Sequence, residues 1–96
     1  MPSDIDKIRK AGRAVGRVQG VFFRRFVQSE AKALGVTGWV KNMSDGSVTM
    51  ELQGEAPTLE QLIAQIKKGK GRIKVTSLEL SDLPVVEGEN GFAIKH

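Results

Sequence analysis

The chain has 96 residues and no cysteine. That absence excludes disulfides, thiolate catalysis and cysteine metal centres, and makes folding indifferent to the redox state of the compartment. Histidine is almost as scarce: the single one, His96, is the last residue, a poor place for acid–base catalysis. Carboxylates alone would have to supply metal ligands, so no metal and no cofactor is expected. No apolar run reaches the length of a membrane span, and the opening "MPSDIDKIRK" is too polar for a secretory segment. A cytoplasmic protein without membrane contact is the expectation.

Fifteen Lys and Arg stand against eleven Asp and Glu, a formal charge of +4. Such a surface attracts anions without distinguishing a phosphorylated metabolite from a nucleic acid. The length suits one domain that buries roughly two-thirds of the surface its unfolded chain exposes. No internal repeat, low-complexity tract or long linker divides it. Residues 1–7 are expected to be a flexible lead-in, and 8–96 the domain.

Hydrophobic spacing sets the elements. Ile8 to Val15 suits a strand, although Gly12 and Ala14 weaken its preference. Phe23, Phe26, Val27, Ala31 and Leu34 recur every three to four residues and predict a helix closed by Gly35. Val36–Asn42 and the alternating "VTMELQ" from Val48 to Gln53 flank "SDGS", predicting a β-hairpin with Val48, Met50 and Leu52 inward and Thr49, Glu51 and Gln53 in water. Leu59, Leu62, Ile63 and Ile66 mark a second helix, begun near Pro57, with Thr58 and Gln61 as a capping box and Lys67, Lys68 and Gly69 at its end. Ile73 and Val75 alternate in one phase and Leu78 and Leu80 in the other, which predicts a strand with a bulge. A short strand over Gly91–His96 completes a β-α-β-β-α-β order with one strand added. Two helices on one face of an antiparallel sheet, a ferredoxin-like α+β sandwich, is the expected fold.

"GRVQGVFFRRF", Gly16 to Phe26, puts a glycine-containing loop between a strand and a helix. Helix N-termini present unpaired N–H groups and a favourable dipole to anions. Arg24 and Arg25 on the first turn oppose that dipole, by some tenths to about 1 kcal/mol. A phosphate-sized anion bound by the loop amides and gripped by a guanidinium removes the conflict, and arginine's planar fork suits two phosphate oxygens. The same spacing also fits a plain turn with two solvated arginines.

"GRVQGVFFR" closely resembles the acylphosphatase signature, and "GWVKNMSDGSV", Gly38 to Val48, is similar to that family's second signature. The terminal "GFAIKH" is similar to its closing strand. The resemblance implies hydrolysis of acyl phosphates to a carboxylate and inorganic phosphate, without metal or covalent intermediate. By position, it gives Arg24 the role of binding the phosphoryl group and Asn42 that of holding the attacking water. Gln19, Gly20, Val21 and Phe22 fall in the loop whose amides bind phosphate, led in by Gly16, Arg17 and Val18. Arg25 lies one place beyond the signature. Without the resemblance, Asn42 before a turn also fits a side chain bonded to local backbone. Trp39 and Phe23 are read as packing residues.

The chemistry is consistent with so few acid–base groups. The leaving carboxylate has a conjugate acid with a pKa near 4, about that of a model carboxyl, and needs no protonation at neutral pH. An RNA-binding module of the same strand order is the alternative, with Lys67, Lys68, Lys70, Arg72 and Lys74 as phosphate contacts. An inactive phosphate-binding domain is another. The third strand, however, offers no aromatic residue for base stacking. The expected partner is a small acyl phosphate, with no nucleic acid, bound by a monomer.

Overall fold

The computed structural model describes residues 7–96. Most of the lead-in expected at residues 1–7 lies outside the described residues, and Lys7 already opens the first strand. The elements are β1 (Lys7–Arg17), α1 (Phe23–Ala33), β2 (Thr37–Asn42), β3 (Val48–Glu55), α2 (Ala56–Lys68), β4 (Lys74–Leu83) and β5 (Phe92–Lys95). The strands form one sheet in the order β4-β1-β3-β2-β5. Both helices pack on one face, giving a ferredoxin-like α+β sandwich. The apolar stripes of α1 and α2 meet the inward residues of β3 there, and Phe23, Val27, Met50, Leu52, Leu62 and Ile66 are all buried.

Four of the strands pair antiparallel, as expected of the whole sheet, but β5 runs parallel to β2, so the sheet is mixed. Direction follows from the route of the chain. After β4 on one edge, residues 84–91 cross to the other edge and return in the sense of β2.

β1 is longer than its composition suggests, eleven residues against the eight expected. It is flanked by β3 and β4, so ladder hydrogen bonds on both sides override the weak preference of Gly12 and Ala14. The expected bulge is present. Val15 pairs with Ser77 and Gly16 with Val75, leaving Thr76 as the extra residue where β4 changes phase. Helix α1 ends in the motif its Gly35 implies: Val36 N–H donates to the Ala31 carbonyl at 2.9 Å and Gly35 N–H to that of Lys32 at 3.2 Å.

Two local expectations are corrected. Helix α2 starts at Ala56 with Glu55 as N-cap and no side-chain capping bond, so Thr58 and Gln61 form no capping box. Pro57 in the first turn has its φ preset for helix, and places Thr58 inside the helix rather than before it. Gln53, expected in water, is 3% exposed. The 84–91 crossover covers it: Gln53 Nε2 donates to the Val86 carbonyl at 2.9 Å, and Val86 N–H donates back to Oε1 at 2.8 Å.

The same crossover is tied to a buried arginine. Arg9, 3% exposed, donates to Glu51 Oε1 (2.8 Å), to Gln53 Oε1 (3.1 Å) and through both terminal nitrogens to Glu89 (2.8 and 3.0 Å). All four protons so engaged meet acceptors, which is the condition for burying a guanidinium without large loss. The hydrogen bonds it donates to Glu89 and Glu51 hold its pKa above the ordinary value despite its burial.

Candidate active site

The bulge in β4 is where β1 gives way to a loop. Gly16 has φ 132°, and a Cβ there would fall 2.2 Å from the Lys74 carbonyl oxygen, so only glycine lets the strands approach at the loop's root. Val18, 1% exposed, anchors the loop in the core. Beyond it Gly20 (φ 73°) and Phe22 (φ 63°, ψ 28°) are both left-handed. A Cβ on Gly20 would meet no atom within 4 Å, so its backbone conformation, not crowding, calls for glycine. Phe22 is the single non-glycine residue with positive φ among the described residues. Such a conformation in a bulky residue costs on the order of 1–3 kcal/mol, and it persists where surrounding structure enforces it. Left-handed residues within a turn direct successive N–H groups to one side and form concave anion seats.

Phe22 is also the N-cap of α1, which has no side-chain capping bond and no acidic residue in its first turn. Arg24 and Arg25 therefore occupy the first turn with nothing there to offset their conflict with the dipole. The Arg24 guanidinium leans towards β5: Nη1 donates to the Lys95 carbonyl at 3.0 Å and lies 3.4 Å from His96 Nδ1. Among the described residues no partner engages its Nη2. Gln28 on α1 donates to the Phe92 carbonyl at 2.9 Å, which fixes β5 against the same helix.

Asn42 ends β2, opposite Val48. The backbone of the turn is satisfied without it: Met43 N–H donates to the Ser47 carbonyl at 2.9 Å, and Asp45 Oδ1 accepts from the Ser47 amide at 2.9 Å and its hydroxyl at 2.5 Å. These bonds, with one from Arg13, hold the Asp45 carboxyl well below the usual carboxylate range. Asn42 Oδ1 is buried and, among the described residues, has no hydrogen-bond partner. A buried amide oxygen without a partner is costly, by about 1–3 kcal/mol, and here it borders a cleft.

The cleft, about 570 Å³, brings Gly20, Phe22, Arg24 and Asn42 together with Val18, Phe23, Arg25, Ile94 and His96. Gln19 and Val21 are not in its lining. Gln19 turns its side chain away and donates from Nε2 to both the Met43 and the Ser47 carbonyls at 2.8 Å. Val21 faces a neighbouring groove on the α2 side. Phe23 is buried, as expected of a packing residue, while Trp39 is half-buried and has Lys95 Nζ 4.5 Å from its ring centroid.

Two participants were not found from the sequence: the Gln19 clamp on the hairpin and the Lys95–His96 end of the chain beside Arg24. Both contacts span long separations, so no local pattern announces them. The F-x-I of the closing strand was the nearest signal for the second. Among the described residues, no group of three or more His, Asp or Glu converges as a metal site, and no helix is long and apolar enough to cross a membrane.

A family model described as acylphosphatase matches residues 10–94. An acylphosphatase of Clostridium beijerinckii is 45% identical over 89 residues, covering 93% of this chain and 99% of that one. One from Salinibacter ruber is 39% identical over 91% and 92% of the two chains. In three dimensions the chain is similar to the crystal structure of acylphosphatase from Bacillus subtilis, with a TM-score of 0.88 at 36% identity over 93% of this chain and 99% of that chain. With its two signature segments meeting at one cleft and relatives matched along almost their full length, the chain belongs to the acylphosphatase family.

Proposed function

We propose that Arg24, the loop amides from Gln19 to Phe22 and Asn42 carry out the reaction of this family, hydrolysis of the carboxyl–phosphate anhydride bond of acyl phosphates. Arg24 and the amides hold the phosphoryl group and stabilise charge on its equatorial oxygens. Asn42 Oδ1 accepts a hydrogen bond from a water and aligns it for attack on phosphorus. The new P–O bond forms as the P–O(acyl) bond breaks, and the electron pair leaves with the carboxylate. One proton of the water passes to a phosphoryl oxygen, so no protein base is required.

The unpartnered, buried Oδ1 of Asn42 beside the loop and Arg24 carries this reading. Its local backbone role is already taken by Asp45. The setting that follows is a cytoplasmic monomer acting on a small molecule, with no nucleic acid partner. The sheet face opposite the helices argues against base stacking where the 84–91 crossover covers it, since Arg9 and Gln53 are buried there in one polar network with Glu51.

The test is hydrolysis of acetyl phosphate in excess chelator, for the protein and its Arg24→Lys variant. Turnover by the protein, and a loss of about 10² or more in kcat/KM for the variant through the lost bidentate grip, is expected. Equal turnover by both would remove Arg24 from the mechanism.

A further inference from the structure

Five cations that the proposed reaction does not use gather at one corner of the molecule. Lys67 and Lys68 end α2, Arg72 lies in the turn that follows, Lys74 opens β4, and Arg17 ends β1. Together they line an open depression of about 600 Å³ that shares no residue with the catalytic cleft. We infer that this depression is a second anion site, and that its ligand is a linear condensed phosphate such as tripolyphosphate.

The ladder between β1 and β4 carries the first observation. Lys10 lies opposite Asp82 and Arg13 opposite Glu79, and both couples are ion pairs. At the end of the same ladder Arg17 lies opposite Lys74. Opposite charges facing across a ladder strengthen the pairing and like charges weaken it. Charge is thus balanced along β1 until the strand reaches the depression, where the rule is reversed.

Nothing within the protein compensates for that reversal. All five cations are exposed, and among the described residues none forms an ion pair or a side-chain hydrogen bond. No Asp or Glu occurs between Glu60 and Glu79. The C-terminus of α2 carries about half a negative charge, which Lys67 and Lys68 already offset, so Arg17, Arg72 and Lys74 are not explained by it. Without the five, ten basic residues stand against eleven acidic ones. The positive excess of the chain therefore resides at this corner, where it draws anions in.

The lining selects among anions. Two of the five cations are arginines, whose planar forks each suit two oxygens of a phosphate. Five positive charges exceed what one phosphate or one carboxylate neutralises, whereas joined phosphates carry several negative charges along a short chain. The remaining walls are Gly71, Ile73 and Val75, which offer no aromatic ring on which a base could stack. A concave site also suits a compact ion better than the flat surface of a bilayer.

Calorimetric titration with sodium tripolyphosphate tests the site. The protein should bind it, and about tenfold or more tightly than it binds citrate, a compact anion built of carboxylates. A Lys68→Gln, Arg72→Gln, Lys74→Gln triple variant, altered only at exposed positions, should bind tripolyphosphate about tenfold or more weakly while hydrolysing acetyl phosphate as the unaltered protein does. Arg24→Gln, which disarms the cleft, should keep the affinity for tripolyphosphate within about twofold, as expected of a separate site. Raised salt should weaken binding in the protein and narrow its difference from the triple variant.

Absence of binding, or an affinity that the triple variant keeps, overturns the assignment. So does a loss of affinity in Arg24→Gln as large as that in the triple variant, because the ligand would then sit in the cleft. Citrate bound as tightly as tripolyphosphate would reduce the corner to a general charge effect. A single-stranded RNA oligonucleotide or a phosphatidylserine vesicle held at an ionic strength that releases tripolyphosphate would give the corner to a nucleic acid or a membrane instead. Loss of acetyl phosphate hydrolysis in the triple variant would make these cations part of the catalytic site and end the claim of a second one.

Discussion

The side-chain amide nitrogen of Gln19 lies 2.8 Å from the carbonyl oxygen of Met43. A second bond of equal length to Ser47 makes the contact a clamp between the loop before α1 and the hairpin that carries Asn42. The two halves of the site come from separate parts of the sequence and meet only across the sheet, so their spacing depends on such cross-links. A misplacement of about 1 Å in an oriented site costs as much as 10² in rate. Gln19→Ala should therefore lower kcat by about 10 to 10², and its urea midpoint should fall by about 1 M, since the two lost bonds contribute about 1 kcal/mol each. Stopped-flow or coupled-assay kinetics beside a urea titration would check both halves of the prediction.

Asn42→Ala should separate function from stability. Removing one positioned polar group should reduce kcat by about 10². Inhibition by inorganic phosphate should change little, because in the proposed mechanism the amide holds water and not the phosphoryl group. The substitution also deletes a buried acceptor that has no partner among the described residues. Its effect on folding should thus stay within about 1 kcal/mol, where a buried polar residue with satisfied bonds would lose more. Calorimetry of the two proteins would show whether Asn42 is held in place at a structural cost.

Helix α1, the hairpin and helix α2 were legible in the sequence because each buries one regular stripe: Phe23, Val27 and Ala31 at helical spacing, Val48, Met50 and Leu52 at strand spacing. Even the bulge at Thr76 was legible, as a change of phase between Val75 and Leu78. What was not legible depends on distant partners. The burial of Gln53, the length of β1 and the parallel sense of β5 are all set by segments that meet through the sheet or the 84–91 crossover. At the site the loop and Asn42 carried local signatures, whereas Gln19's engagement with the hairpin and His96's approach to Arg24 span 24 and 72 residues.

Arg9 should be the most sensitive charged position for folding. Its guanidinium joins β1 to Glu51 on β3 and to Glu89 in the crossover, and is itself 3% exposed. Arg9→Met keeps much of the volume but strands two carboxylates that are 29% and 17% exposed. Breaking a buried pair from one side costs about 3–5 kcal/mol, and a fall of that order is expected in urea denaturation. Adding Glu51→Gln and Glu89→Gln to Arg9→Met should recover part of the loss, since the remaining penalty comes from unpaired charge and not from lost packing.

The same network sets how the fold responds to acid. Burial pushes the Glu89 carboxyl up, but hydrogen bonds from Arg9 and Thr37 and the charges of Arg9 and Lys95 outweigh it, so its pKa lies below the ordinary 4.5. A carboxyl depressed by folding contributes stability in full above its unfolded pKa and loses it as pH falls through the folded value. Asp45 acts in the same direction, held down first by the Ser47 hydroxyl, then by the Ser47 amide and Arg13, from an ordinary 3.8. Arg9, whose pKa is raised further above the ordinary guanidinium value, stays charged throughout the acid range and gives no slope there. The melting temperature should therefore be nearly level from pH 7 to 5 and fall below about 4.5 as these carboxyls take up protons. Glu89→Gln should be less stable at pH 7 and show a shallower decline in acid. A decline as steep as that of the unaltered protein would place the acid sensitivity elsewhere than in the Arg9–Glu89 pair.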